Sequence, residues 1–494
     1  MQINNLNYSI YNISHKGFVK DYKALKRNVY VLQTKNEFCQ KPQFVTSLMA
    51  AENAFKDFCR NNPLRATLYG FFKKINLIPQ NISRPVNNDV MQKIFIKEKE
   101  IMYKIQNLKY IVDGKEYSSR EFNNLYNNET DYVKKAEMLT QHASLLNSFE
   151  KVLKELVVVR NDYAKSLGYK NYFEYALNLQ YGISLKEFDK MLNDYANSDE
   201  VKSAVKKRRE ILEKELGIPF SEMLSSQICP ITNFCNIDKY IGSTESIVDT
   251  VKNAYQRMGF DLKTLEKNGQ INYDLKPYEG KASGAFCRNY ADVDSVFIYA
   301  NLQPDTNSIR AFSHEMGHAM YDLHVSKYLP KSLKFPKAFY NEAVAMMFEK
   351  LLLEKGVLEN LVPKDILEKY QEYSKIENTY EGLVILAEAD FEKEMYNNPN
   401  QDFYALRKEI NKKYNLIPKN EKWFVEHYAI YPVRRPVYLK GFILAEKMYN
   451  ALSEFLGTEL NSNPKVAEIM QKNIFRYGAL LNDRILNRNL KNLG

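Results

Sequence analysis

Long stretches of this sequence run without a helix breaker, and that limits the folds open to it more than any other feature. Glycine occurs 18 times and proline 16 times in 494 residues. Uninterrupted runs of this kind favour helices. Phe44 to Cys59 is an amphipathic stretch that ends before Asn61-Asn62-Pro63, and Val90 to Ile105 is another. Asp113-Gly114 reads as a local turn in a small hairpin. Thr130 to Leu167 reads as one long helix or two, closed by Gly168 as a C-cap. Shorter helices are predicted at roughly 185–197, 200–216 and 244–258. The pattern changes at Ile271: INYDL, GAFCRNY and SVFIYANL are short, aromatic and β-branched, with turn residues between them, and read as a small sheet. Pro304-Asp305-Thr306 then opens a helix, and helices are expected from there to the end. The fold expected is mostly α, with one small β element.

A chain of this length that is 45% hydrophobic has material for a large core. Its aromatic content and lack of low-complexity runs argue against disorder. The five cysteines (39, 59, 229, 235 and 287) are irregularly spaced and form no CxxC, so a reducing compartment fits better than a disulfide framework. The first residues hold no continuous apolar segment of the signal-peptide type. The longest apolar runs, such as Leu156-Val157-Val158-Val159, fall far short of the roughly 20 residues that span a bilayer. A cytoplasmic monomer with no membrane partner is expected. The net charge of +10 is spread along the chain, and its densest cluster, Lys206-Lys207-Arg208-Arg209, accompanies no nucleic-acid motif. It reads as a lysine-rich solvated surface, and no nucleic-acid partner is expected.

One segment carries chemistry: Ser313-His314-Glu315-Met316-Gly317-His318. Residues four apart lie on one face of a helix, so His314 and His318 can aim two imidazoles at one metal. Glu315 is displaced around the helix toward the open side, where a general base is needed. With six histidines in the whole chain, a chance HExxH is expected well under once in about a hundred such sequences. A catalytic zinc site takes three protein ligands. Downstream, AFYNEAVAMMF is an apolar helical stretch interrupted by one carboxylate, Glu342. A carboxylate on such a face is rarely buried unpaired, and a metal would satisfy it. One Zn2+ per chain on His314, His318 and Glu342 is expected. Gly317 costs about 1 kcal/mol relative to alanine inside a helix, which a close approach by the second ligand helix would explain. His324, on another face, reads as a surface or supporting histidine.

A peptide substrate also needs a strand edge for its backbone and a donor for the oxyanion. Lys281-Ala282-Ser283-Gly284-Ala285-Phe286-Cys287 is the candidate edge, with Gly284, Ala285 and Phe286 at its centre; an ordinary core strand is the other reading. The candidate donor segment is Trp423 to Gly441, WFVEHYAIYPVRRPVYLKG, which gathers His427, Tyr428, Tyr431, Arg434, Arg435 and Tyr438.

These blocks resemble the gluzincin peptidases of the thimet oligopeptidase and oligoendopeptidase F family, and the related peptidyl-dipeptidases of the angiotensin-converting enzyme type. HEMGH, followed about two dozen residues later by NEAVAMMFEKLL, carries most of the resemblance. GKASGAFC is similar to the family's substrate-binding strand. LVVVRNDYAKSLGYKNYFEYAL (156–177), FEKEMYNNPNQDFYAL (391–406) and HYAIYPVRRPVYLKG (427–441) match further segments. The resemblance implies a helical ellipsoid split by a deep substrate channel, with a small sheet beside the zinc site, formed by one catalytic unit over 1–494 in two helical halves of approximately 1–240 and 241–494. It implies hydrolysis of short unstructured peptides, as an oligopeptidase or a dipeptidyl-carboxypeptidase. It gives His314, His318 and Glu342 the ligand roles and Glu315 the base role, while His427 and Tyr438 resemble the residues that bind substrate and stabilise the oxyanion.

Two departures stand out. Arg434 and Arg435 occupy positions where relatives often carry tyrosines, and arginine binds carboxylates through paired hydrogen bonds. Met346 replaces an acidic residue one turn after the third ligand, so support for a ligand histidine has to come from elsewhere. Two rival readings remain at this level: a degenerate relative that binds peptide or metal without turnover, and a basic nucleic-acid-binding protein with a fortuitous HExxH. The second predicts salt-sensitive polynucleotide binding and no zinc.

Overall fold

The computed structural model describes the chain apart from residues 1–14, 40–41, 62–87, 119–120, 123–124, 127–128, 279–280, 282–283, 353–356, 360, 417–424, 458–459 and 494. The described residues are mostly α-helical, with two small sheets. The expected helices form at Pro42–Asn61, Asn88–Gln106, Leu185–Ala196, Asp199–Leu216 and Thr244–Arg257. Short polar side chains fix their starts: Ser184, Ser198 and Ser243 each accept the backbone N–H three residues on. The stretch from 130 to 167 is two helices, Tyr132–Asn147 and Glu150–Ser166. The Ser148 hydroxyl donates to the Leu145 carbonyl, which competes with the helical ladder at that point. Gly168, at φ +86°, closes the second helix.

By contacts the chain divides into two units, each discontinuous in sequence. One comprises Ser83–Ile237 and Pro363–Leu444. It holds a hairpin of β1 (Lys109–Val112) and β2 (Lys115–Ser118), joined at Asp113-Gly114 with φ +51° and +76°. Positive φ at both central residues matches the right-handed twist of a two-residue hairpin. The other described elements of this unit are helical. Its longest element, Lys364–Asn397, packs against Glu150–Ser166, Leu185–Ala196, Asp199–Leu216 and Phe403–Lys413.

The other unit comprises Met1–Ile82, Asp238–Val362 and Ala445–Gly494. Its sheet has β3 (Ile271–Asp274) parallel to β5 (Ser295–Ala300), and β4 (Ala285–Tyr290) antiparallel on the far side of β5. The central strand β5 is buried throughout, which is why SVFIYA shows no polar alternation. Tyr290, Val293, Phe297 and Tyr299 form a core cluster, and Tyr30 and Val31 of the helix His15–Cys39 pack on it. Asp305 starts the motif helix, Thr306–His324, by accepting the Ser308 N–H at 2.7 Å. This helix lies against β4, β5 and the helix Ala338–Leu352, here the ligand helix. Cys59, Cys229, Cys235 and Cys287 are free thiols. Among the described residues no helix is long and apolar enough to cross a membrane.

Candidate metal centre

The motif helix and the ligand helix meet where Gly317 has no side chain. A Cβ there would stand 2.7 Å from the Ala345 Cα and 3.3 Å from the Phe348 ring. The ligand helix occupies that space, and the Ser313 hydroxyl fastens it by donating to the Phe348 carbonyl at 3.1 Å. Gly317 is therefore a packing residue, as its cost in a helix interior suggested.

This approach brings His314, His318 and Glu342 together. One ligand atom from each lies within 4.8 Å of the others. The two Nε2 atoms are 3.0 Å apart, and Glu342 Oε2 is 3.4 Å from that of His314 and 3.7 Å from that of His318. Ligands about 2.0–2.2 Å from a tetrahedral zinc stand roughly 3.3–3.6 Å from one another. The donor set and its spacing fit that ion.

The surroundings favour a cation. Burial alone would lower the pKa of His314, but Glu342 and Glu349 outweigh it and hold the imidazole well above its ordinary range. The field that does this equally favours a divalent metal, which would compete with the proton for the ring. Burial pushes the Glu315 carboxyl up to about 7; His314 opposes the shift, and Glu342 and Glu349 add to it. The backbone N–H of Cys287, on β4, reaches the Glu315 carboxylate and ties the edge of the sheet to the motif helix. A carboxyl that titrates near neutrality suits a group that takes up and returns a proton.

The support missing at Met346 comes from Glu349, which the sequence reading did not single out. Its Oε1 is 2.5 Å from His314 Nδ1, and Arg310 holds its other oxygen at 3.1 Å. Glu342 and Glu349 are seven residues apart, two turns, so the signal was one face of the ligand helix. Glu349→Ala should weaken metal retention by about 10–100-fold with all three ligands in place. Competition against a chromophoric chelator measures this, and unchanged affinity would remove the assignment.

The other candidates sit as follows. Gly284 has φ +97° and precedes β4, so the turn itself needs glycine there. Ala285 and Phe286 lie on the edge strand β4, and the Phe286 ring stacks on Tyr299. Ala282 and Ser283 are outside the described residues. His324 is packed between Phe260 and Phe475 and bonds the Met320 carbonyl through Nδ1 at 2.7 Å, which is a structural environment.

His427, Arg434, Arg435 and Tyr438 belong to the unit that comprises Ser83–Ile237 and Pro363–Leu444; Trp423, at the head of their segment, is outside the described residues. His427 is half-buried in the helix Val425–Ile430; burial, with Arg435 and Arg434 nearby, holds its imidazole down to about 3, so it is neutral. Arg435 forms an ion pair with the buried Glu388, Nε to Oε2 at 2.6 Å. Arg434 lies 5.5 Å from the Tyr438 ring centroid and hydrogen-bonds Tyr181.

Residues 260–432 match the model of peptidase family M3. The segment takes in the whole metal centre and His427, and stops short of Arg434 and Tyr438. Among curated proteins none matches. The fold is similar to that of PZ peptidase A solved with an inhibitor, with a TM-score of 0.63 at 16% identity over 99% of this chain and 95% of that one. It is similar to a protein of Bacillus anthracis described as an oligoendopeptidase F, with a TM-score of 0.56 at 15% identity over 99% and 94%. At such identities the structural likeness speaks for the fold alone. With the family match, it bears out the resemblance to M3 gluzincins. The class supported is a metallopeptidase, a hydrolase of peptide bonds.

Proposed function

We propose that this chain is a zinc-dependent peptidase acting on short, unstructured peptides. The observation that carries the proposal is the convergence of His314, His318 and Glu342 within 4.8 Å, with the buried Glu315 beside them. Zinc held there would supply Lewis acidity toward a water molecule and a scissile carbonyl. The chain's own residues do the remaining work. His314, steadied by Glu349, and His318 and Glu342 hold the ion. Glu315 takes a proton from the attacking water at its carboxylate and returns it to the leaving amine. The edge strand β4, around Ala285 and Phe286, is suited to pairing with an extended substrate backbone. Hydrolysis of an unstructured peptide library that stops on chelation and returns with zinc tests the reading. Chelator-insensitive hydrolysis, or none from the zinc-loaded protein, would overturn it; the latter is what a degenerate relative predicts.

The roles of His427, Tyr438 and the arginines rest on the resemblance of HYAIYPVRRPVYLKG. His427, neutral, would bind substrate through a hydrogen bond. Tyr438 would donate to the developing oxyanion, a contribution typically worth about 3 kcal/mol. Arg434 or Arg435 would meet a substrate carboxylate, and Arg435 also neutralises Glu388. Tyr438→Phe should then lower kcat with little change in KM. Arg434→Ala should raise KM for free-acid peptides much more than for C-terminally amidated ones, the pattern of a dipeptidyl-carboxypeptidase. Unchanged kinetics in the first, and equal effects on both peptide types in the second, would withdraw these roles.

A further inference from the structure

The block FEKEMYNNPNQDFYAL holds a residue that none of the roles above uses. Glu392 lies on the long helix Lys364–Asn397 and is fully buried. Its Oε1 accepts the backbone N–H of Val433 at 2.6 Å, while Oε2 has no hydrogen-bond partner among the described residues. Val433 has φ +59°. The other non-glycine residues described with positive φ are Asp113, Asn236, Asp294 and Asn415, whose short polar side chains tolerate that region. A β-branched side chain does not, and such a conformation persists only where the surroundings over-determine it.

The surroundings do so here. Tyr181 reaches the carbonyl of Pro432 at 3.5 Å, just before the strained residue. Arg160, fully buried, donates to the carbonyls of Tyr428 at 2.8 Å and of Ala429, directly after His427. Arg434 follows Val433 at once, and the helix Arg435–Leu456 that carries Tyr438 starts one residue later. The turn thus sets the direction in which Arg434 and Tyr438 leave the backbone. Burial pushes the Glu392 carboxyl up to about 8, against the opposing charges of Arg160 and Arg435. Burial thus favours the neutral form, and Oε1 accepts the Val433 N–H as an amide oxygen would.

We propose that Glu392 is a positioning residue: it clamps Val433 in the left-handed conformation and thereby fixes Arg434 and Tyr438 for the reaction. The inference rests on the roles proposed for those two side chains. Relaxation of Val433 to negative φ would turn the start of the following helix and displace both side chains.

The test is a double-mutant cycle on the full-length, zinc-loaded protein, read as kcat and KM per bound zinc together with the thermal midpoint. Glu392→Met keeps the volume and removes the acceptor; Val433→Gly makes positive φ costless. Glu392→Met should lower kcat/KM by about tenfold or more, while Glu392→Gln, whose amide oxygen can accept the same N–H, should stay within about threefold of wild type. In the Val433→Gly background the Glu392→Met loss should shrink to about threefold or less, although the midpoint stays lowered by the orphaned N–H. A residue with only a structural role would lower the midpoint without this kinetic recovery. Equal kinetic losses in both backgrounds, or wild-type kinetics in Glu392→Met while Tyr438→Phe is slow, would overturn the clamp. Wild-type kinetics in both Tyr438→Phe and Arg434→Ala would instead remove the roles of those side chains; kinetic coupling between Glu392 and Val433 would then still tie the turn to turnover.

Discussion

His314→Ala and His318→Ala should each purify folded but without zinc, where the unaltered chain carries about one zinc per molecule. The site has three converging protein donors and no spare one among the described residues. Removing one leaves two donors where a catalytic zinc site uses three. Each deletion also changes the charge balance. Without His314, Glu349 loses its 2.5 Å partner and the carboxylates Glu315, Glu342 and Glu349 share one buried region. Without His318, the Glu342 oxygen has a single imidazole beside it. Elemental analysis after dialysis against a mild chelator measures the loss, and circular dichroism checks that the helices remain. Hydrolysis should fall to background in both variants. Metal content that survives in both would remove the ligand set and the proposed function with it.

Glu315→Gln should show the opposite separation: full metal content and hydrolysis reduced more than about a hundredfold. The reason is positional. Glu315 follows His314 by one residue, so its side chain projects about 100° away around the helix from the ligand face. It is buried, with a carboxyl that titrates near 7 and receives the Cys287 N–H. Glutamine preserves the shape and can still accept that N–H, so the packing between the motif helix and β4 is kept. It cannot take a proton. Loss of kcat with little change in KM is the pattern expected when a group acts in the chemical step alone. Near-native turnover in this variant would remove Glu315 as the base, and loss of the metal would make it a ligand.

Local structure was legible because its causes are local. The amphipathic stretches and the Asp113-Gly114 turn each depend on neighbours in sequence. The long stretch from 130 to 167 was ambiguous because its break rests on one serine hydroxyl bonding back to Leu145. Gly317 was legible in part: its cost in a helix pointed to a close approach, and only the fold supplied Ala345 as the neighbour. Glu349 was not legible because its contact with His314 joins two helices thirty-five residues apart, and only their packing brings the two side chains together.

What the sequence determined by itself was a set of side chains on one helix: HExxH at helical spacing places two imidazoles on one face and a carboxylate beside them by geometry that needs no tertiary information. It also determined the mostly helical class, through the scarcity of glycine and proline. The strand order β3-β5-β4, with a parallel pair, was decided only in three dimensions, because pairing partners are chosen by packing and not by period. The same holds for Glu392 and Val433, forty-one residues apart. A valine in a loop announces no positive φ, and a glutamate in a helix announces no burial. Only the packed chain brings that carboxyl to that N–H, and only there does the strained turn find the hydrogen bond that holds it.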